Sequence, residues 1–162
     1  MARVATTLVI GSSGAAREAL IAAQLALPPV PDPASGLEQF PQNCARGALD
    51  SAVILEGFGV AATPLASGAG LHVTRIAPGC LCCDGNLVLR VTLNRLLRQR
   101  PRRLLIGLAS SEHLDQLRSW LQAPPYDQLL ALNPTLSCET VTWRPAFFVR
   151  WFLKSVQTAP PL

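Results

Sequence analysis

Apolar residues along this chain follow two rhythms. Short runs of aliphatic and β-branched residues stop abruptly at glycine or proline: VATTLVIG at 4–11, SAVILEGFG at 51–59, LHVTRIAPG at 71–79 and RRLLIGLAS at 102–110. Runs of that length, bounded by turn formers, predict strands, most of them buried. Between them lie segments with helical spacing. AAREALIAAQLAL at 15–27 is rich in strong helix formers. NLVLRVTLNRLLRQR at 86–100 places Leu89, Leu93, Leu96 and Leu97 on one helical face. Asp84 can cap its start, and Pro101 ends it. SSEHLDQLRSWL at 110–121 reads as a helix capped by Ser110 or Ser111, with acids in its first turn.

LLALNPTLS at 129–137 predicts a last parallel strand. CETVTWRPAFFVRWFLK at 138–154 alternates in part and suits an edge hairpin or a dimer surface. Strands alternating with helices predict an α/β fold: a mostly parallel sheet with helices on both faces, in three layers. The 162 residues are expected to form a single domain. Residues 28–50, rich in proline and glycine, form an irregular loop in this reading, and 136–162 a divergent C-terminal segment. The tail TAPPL is expected to be loose.

Composition narrows the picture. With 49% apolar residues and only 15% charged, the chain can bury a core and is not disordered. The net charge of +4 comes largely from arginine. Arg90, Arg95, Arg98, Arg100, Arg102 and Arg103 crowd one helix and its exit. A solvated helix face explains such a run better than nucleic acid. No run is long enough to span a membrane. The N-terminal apolar run is broken by GSSG and then by Arg17 and Glu18, so it predicts a strand and turn rather than a signal peptide. Five cysteines, three of them within four positions, do not make a disulfide framework. Adjacent Cys82 and Cys83 can bond only with strain. Reduced thiols in a cytoplasmic setting are the expectation.

In a parallel α/β sheet, ligands sit at the carboxyl ends of the strands. Two of those ends carry candidate chemistry. After the first strand comes GSSGAAREAL. A phosphate loop of the form G-x-x-x-x-G-K-[ST] would place its parts over Gly11, Ser12, Ser13, Gly14, Ala15, Ala16, Arg17 and Glu18. Only Gly11 meets the pattern. Ala16 stands at the second glycine, Arg17 at the lysine and Glu18 at the hydroxyl that holds Mg²⁺. Arg17 keeps the charge but is bulkier and forked, and Glu18 carries a negative charge towards a helix start that favours anions. A plain tight turn is the competing reading.

After the third strand comes GCLCCDGNL at 79–87. Thiolates suit soft and borderline metals, and zinc takes four ligands, often cysteine. A tight loop can aim two sulfurs at one ion, leaving the rest of the shell to other groups. A nucleophilic cysteine activated by the following helix start and a packed thiol are the alternatives. His72 and His113 are read as structural and solvated, either able to complete a zinc site.

Taken together, RIAPGCLCCDGNLVLRVTLNRLL, the glycine loop before it, the acid-bearing strand end VILEGFG and the small-residue turn after LLIGLAS resemble the CobW-type GTPases. The resemblance covers about residues 4–133. It implies a P-loop NTPase-like fold and a metal-handling role in the cytoplasm, with zinc or cobalt at Cys80, Cys82 and Cys83. Glu56 stands near the family's acidic switch residue. The departures bear equally on function. The loop lacks its lysine and Mg²⁺ hydroxyl, Gly107 stands where an acid is usual, and no Asn-Lys-x-Asp motif or C-terminal domain is present. Phosphoryl transfer needs Mg²⁺, charge stabilisation and a positioned water, and the loop's losses remove parts of each. The expectation is therefore a metal-binding relative that does not hydrolyse GTP, with GTP and Mg²⁺ disfavoured as cofactors. It would deliver metal to a client protein. Two alternatives stand beside it: a GTP-binding protein or GTPase with an atypical phosphate loop, and a pseudo-GTPase that forms a homodimer or pairs with a full-length relative. In the last, Trp143, Phe147, Phe148, Trp151 and Phe152 would supply the interface.

Overall fold

In a computed structural model of the chain, residues 3–27, 49–57, 65–77, 87–112 and 114–138 are described. Six parallel strands form one sheet: β1 (Val4–Gly11), β2 (Ser51–Glu56), β3 (Leu71–Ile76), β4 (Arg103–Leu108), β5 (Leu130–Leu132) and β6 (Leu136–Cys138). The order is β3-β2-β4-β1-β5, and β6 also pairs with β1. Three helices accompany them: α1 (Gly14–Ala26), α2 (Leu87–Arg98) and α3 (Leu114–Leu121). None of these helices is long and apolar enough to cross a membrane.

The two faces of the sheet bury different sets of residues, as the period-two alternation of a strand requires. Val9, Val53, Leu55 and Leu105 pack with Ile21 of α1 on one face. Leu8, Ile10, Ala52, Ile54, Leu104 and Ile106 pack on the other with Leu89, Leu93 and Leu96 of α2 and Leu117 and Leu121 of α3. That is the three-layer α/β arrangement expected from the alternation of strands and helices, and it fits a P-loop NTPase-like fold. The helical spacing read for α2 holds. Its apolar face is buried, while Arg90, Arg95 and Arg98 are exposed.

Local chemistry fixes where several elements begin and end. Ser13 caps α1: its backbone is extended (φ −142°) and its Oγ accepts from the Ala16 N–H at 3.1 Å. Arg100 takes a left-handed conformation (φ 50°) just past α2, and Pro101 follows. The α3 helix starts at Leu114, later than expected, because Ser110 Oγ first accepts from Glu112 N–H in a separate turn at 3.1 Å. The last strand is interrupted at Asn133-Pro134, since proline cannot donate to a ladder. Asn133 still holds the chain to β1. Its N–H donates to Thr6 O at 2.8 Å and its Nδ2 to Thr7 Oγ1 at 3.0 Å.

Arg103 was part of the basic run in the sequence, yet it acts inside the fold. Its guanidinium donates to Gln24 O (2.8 Å), Leu27 O (2.6 Å) and Leu25 O (2.7 Å), and its Nε to Ser51 Oγ (2.7 Å). The free carbonyls at a helix C-terminus want such a donor, and the cation opposes the negative end of the helix dipole. Arg103 therefore fixes the far end of α1 to the start of β4 and β2. Arg102, by contrast, is exposed beside Asp50 at 3.7 Å, a pair worth little in water.

Candidate functional site

The register places the strand ends side by side. Ile10 of β1 pairs with Leu108 of β4, Leu55 of β2 with Gly107 of β4, and Glu56 of β2 with Ile76 of β3. One step further along stand Gly11, Ala109, Gly57 and Ala77, so one edge of the sheet gathers the glycine loop, the acid-bearing strand end and the start of the segment that carries the cysteines. Cys80, Cys82 and Cys83 themselves lie outside the described residues, as do Asp84, His113 and the aromatic stretch from 139 onward. His72 sits half-buried on β3, paired with Ala52.

The glycine loop is built around its own arginine. Arg17 is 7% exposed. Its Nη1 donates to Gly11 O at 3.3 Å and its Nη2 to Glu56 O at 3.1 Å. Gly11 is required by this arrangement, because a Cβ there would lie 2.6 Å from Arg17 Cγ. Glu18 is 4% exposed and turns the other way, towards the β3 edge. Arg75 donates to its two carboxylate oxygens at 2.9 and 3.3 Å, and Leu65 N–H donates to Oε2 at 2.9 Å. Arg75 also donates to Leu65 O at 3.1 Å, which closes the ring of bonds. Burial alone would push the Glu18 carboxyl up. The bonds from Arg75 and Leu65 N–H, with the positive charges of Arg75 and Arg17, outweigh it and hold the carboxyl below its ordinary value. Its charge is thus spent within the fold and not on the space ahead of the helix.

Glu56 is 7% exposed at the end of β2, and its Oε2 accepts from Ala109 N–H at 2.8 Å, just past β4. Its backbone carbonyl takes Arg17, as above. Gly57 follows with φ +97°, a conformation open to glycine, and its N–H donates to Ile76 O at 2.8 Å. The sharp change of direction there leaves the carboxylate over the end of β4. Glu56 is the acidic residue that stands at this edge beside the start of the cysteine segment. Among the described residues, no three His, Cys, Asp or Glu side chains gather closely enough to hold a metal ion. A metal site built on Glu56 would need ligands from outside the described residues.

The expected Walker acid position, Gly107, has a packing explanation. A Cβ at Gly107 would meet Leu55 Cδ2 at 2.8 Å and Ile21 Cδ1 at 3.1 Å. A side chain on that face would have to displace the terminal methyls of Leu55 and of Ile21 on α1. Two further participants were not singled out from the sequence: Arg75 and Ala109. Arg75 left a signal, as a lone charge in an otherwise apolar and hydroxyl-bearing strand. Ala109 left none, because its contribution is a backbone N–H.

Comparison with known proteins gives one partial likeness. No family model matches the chain, and no solved structure matches it. It is 40% identical over 73 residues to the zinc chaperone YeiR of Escherichia coli (strain K12). That stretch is 44% of this chain and 22% of the relative, so the chain spans about a fifth of the length of the curated relative that it matches.

Proposed function

We propose that the chain is a CobW-like metal-handling protein that binds zinc or cobalt through Cys80, Cys82 and Cys83, without hydrolysing GTP. The observation that carries this reading is the placement of Glu56 opposite Ile76, at the strand end from which the cysteine segment departs. The likeness to a zinc chaperone supports it for metal handling in general. Thiolates and a carboxylate make a donor set that zinc accepts, and the same set accepts cobalt with a visible signature. Glu56 Oε2 accepts from Ala109 N–H, and in this reading Ala109 fixes the orientation of the carboxylate as an outer partner does. Thiols must lose their protons to bind, so metal uptake releases protons and weakens as pH falls. The ion is cargo: it passes to a client protein by exchange of ligands in the reducing cytoplasm. A second copy of this chain, or a full-length relative, can supply further ligands.

Hydrolysis of GTP has little to rest on. Glu18, at the position of the Mg²⁺ hydroxyl, is bonded to Arg75, and Gly107 carries no acid and packs closely under Leu55 and Ile21. Phosphoryl transfer requires the cation, the acid and a positioned water together.

The test is titration of the reduced chain with Co²⁺ and Zn²⁺, with Cys82→Ser/Cys83→Ser as the control. Binding near one ion per chain or per dimer is expected, with the intense absorption of thiolate-bound cobalt, lost in the double variant. Equal binding by the double variant, or none by the native chain, would sink the reading.

A further inference from the structure

In a working phosphate loop, backbone N–H groups and the helix start face an anion, and the lysine reaches the phosphates. Here the side chains of Ser13, Arg17 and Glu18 bond within the chain, while Ser12 stays exposed. Ser13 Oγ is occupied by the Ala16 N–H, and Glu18 is held by Arg75 and Leu65. Arg17, at the lysine position, bridges the carbonyls of Gly11 and Glu56, the ends of two strands that are separated by β4. These are acceptors, the opposite polarity to a phosphate cradle. The missing side chain of Gly11 leaves room for the Arg17 stem rather than for a ligand.

We propose that Arg17 is the permanent occupant of this loop. Its guanidinium stands in place of both the phosphate-contacting cation and the nucleotide, and holds the carboxyl ends of β1 and β2 at a fixed separation. It is thereby a positioning residue for Glu56, which it grips by the backbone while Ala109 grips the carboxylate. The chain then needs no nucleotide to set this edge and binds none. Turning Arg17 outward to meet a phosphate would break its buried bonds to the Gly11 and Glu56 carbonyls, a cost that a bound nucleotide would first have to offset. One donor, Arg17 Nε, is buried with no partner. A compact anion reaching it is the competing outcome, so pyrophosphate belongs in the test. The proposal involves no metal and stands or falls apart from the metal reading.

The experiment has three arms. First, the native chain is titrated with fluorescent GDP and GTP analogues, with and without Mg²⁺, and with pyrophosphate by calorimetry. No saturable binding is expected up to about 1 mM, the affinity range of roughly 4 kcal/mol. Saturable micromolar binding of any of the three overturns the proposal. Second, Arg17→Ala should lose on the order of 5 °C or more in Tm. Ethylguanidinium should restore part of that loss in the variant and not in the native chain, whereas ethylammonium should not. Arg17→Lys keeps the charge without the fork, so it should remain folded and still lose stability. A lysine variant as stable as the native chain overturns the lock, whether or not the alanine variant folds. Third, amide hydrogen exchange in Arg17→Lys reads the positioning of Glu56. The Ala109 N–H should exchange at least about tenfold faster, while the Val4 N–H, bonded to Leu129 O at the opposite end of β1, keeps its rate. Equal acceleration at both amides would mean a general loss of stability and no positioning role.

Discussion

Glu18 offers the sharpest test of how this edge of the sheet is held. The perturbation is Glu18→Gln, which keeps shape and removes charge. The native carboxylate accepts three bonds, two from Arg75 at 2.9 and 3.3 Å and one from Leu65 N–H at 2.9 Å. Its side chain is 5% exposed and that of Arg75 is 26%. A glutamine has one acceptor oxygen, so its amide NH₂ must face a donor, either Arg75 or Leu65. Bonds to a charged group are worth about 1.5–3 kcal/mol each and do not add, and breaking a buried pair costs about 3–5 kcal/mol. With Arg75 a quarter in water, the expected loss is about 2–3 kcal/mol at pH 7, or roughly 4–10 °C in Tm. The pH dependence follows from the lowered carboxyl. A carboxyl with a depressed folded-state pKa stabilises the fold fully above its unfolded value, here 4.5, and loses that contribution as pH falls through the folded value. Urea denaturation of both proteins from pH 7 down to pH 3 is the assay. The gap between native and variant should stay wide at pH 7 and 5.5 and narrow below about pH 4.5. A gap under about 0.5 kcal/mol at pH 7, or one that does not change with pH, would refute the reasoning.

Three further outcomes are expected. Arg103→Lys should cost about 1–2 kcal/mol in denaturant unfolding, because one ammonium cannot reach three helix-end carbonyls and the Ser51 hydroxyl together. Faster exchange of the Leu27 amide, which is bonded to Gln24 O, would locate the damage at the α1 C-terminus. Gly107→Ala should destabilise by about 1–2 kcal/mol through collision with buried Leu55 and Ile21, and Ile21→Val in the same chain should recover part of that loss. A neutral Gly107→Ala would mean that α1 can shift freely over β4. Glu56→Gln keeps an amide oxygen able to accept from Ala109 N–H, so the end of β2 should stay tied to Ala109. Under the metal reading it lowers cobalt affinity by about tenfold or more in the same titration, and unchanged affinity would remove Glu56 from the ligand set.

The elements were legible because their signals are local. Alternation and run length gave β1 to β4, and helical spacing gave α1 and the buried Leu89-Leu93-Leu96 face of α2. The break at Asn133-Pro134 was in plain view, yet residues 129–137 read as one strand because apolar residues resume past the proline; the structure splits them into β5 and β6, both on β1, with Asn133 still bonded to Thr6 and Thr7. The site was legible in its location and hardly at all in its wiring. Arg75 and Glu18 lie 57 residues apart, and Arg103 lies 76 to 79 residues from the carbonyls that it caps. Which distant charge meets which depends on strand order, and periodicity carries no information about strand order. Arg17 shows the limit plainly. The sequence gives a cation at the phosphate-contacting position, and only the register of β1, β4 and β2 shows two carbonyls within its reach.

The wiring has a common logic that bears on function. The α1 helix is fastened at both ends by arginine: Arg17 from its own first turn to the β1 and β2 ends, and Arg103 from β4 to its last carbonyls. Glu18 adds a third tie, to the edge strand. Between these ties Ile21 packs against the face of β4, where Gly107 leaves no gap. A loop that responds to a ligand needs weakly held parts that the ligand then orders. This loop differs: Ser13 Oγ, Arg17 and Glu18 are met by the chain itself, while Ser12 stays exposed. With Arg17 locked as proposed above, switching would fall elsewhere along the same edge. Glu56 is the residue through which such a change would reach the rigid part. Its carboxylate spans from β2 to Ala109 beyond β4, and its register partner on β3 lies two residues before the cysteine segment. An event at residues 79–86 that pulls on Glu56 would be felt at Ala109, whereas one at Ser12 would meet a structure already closed.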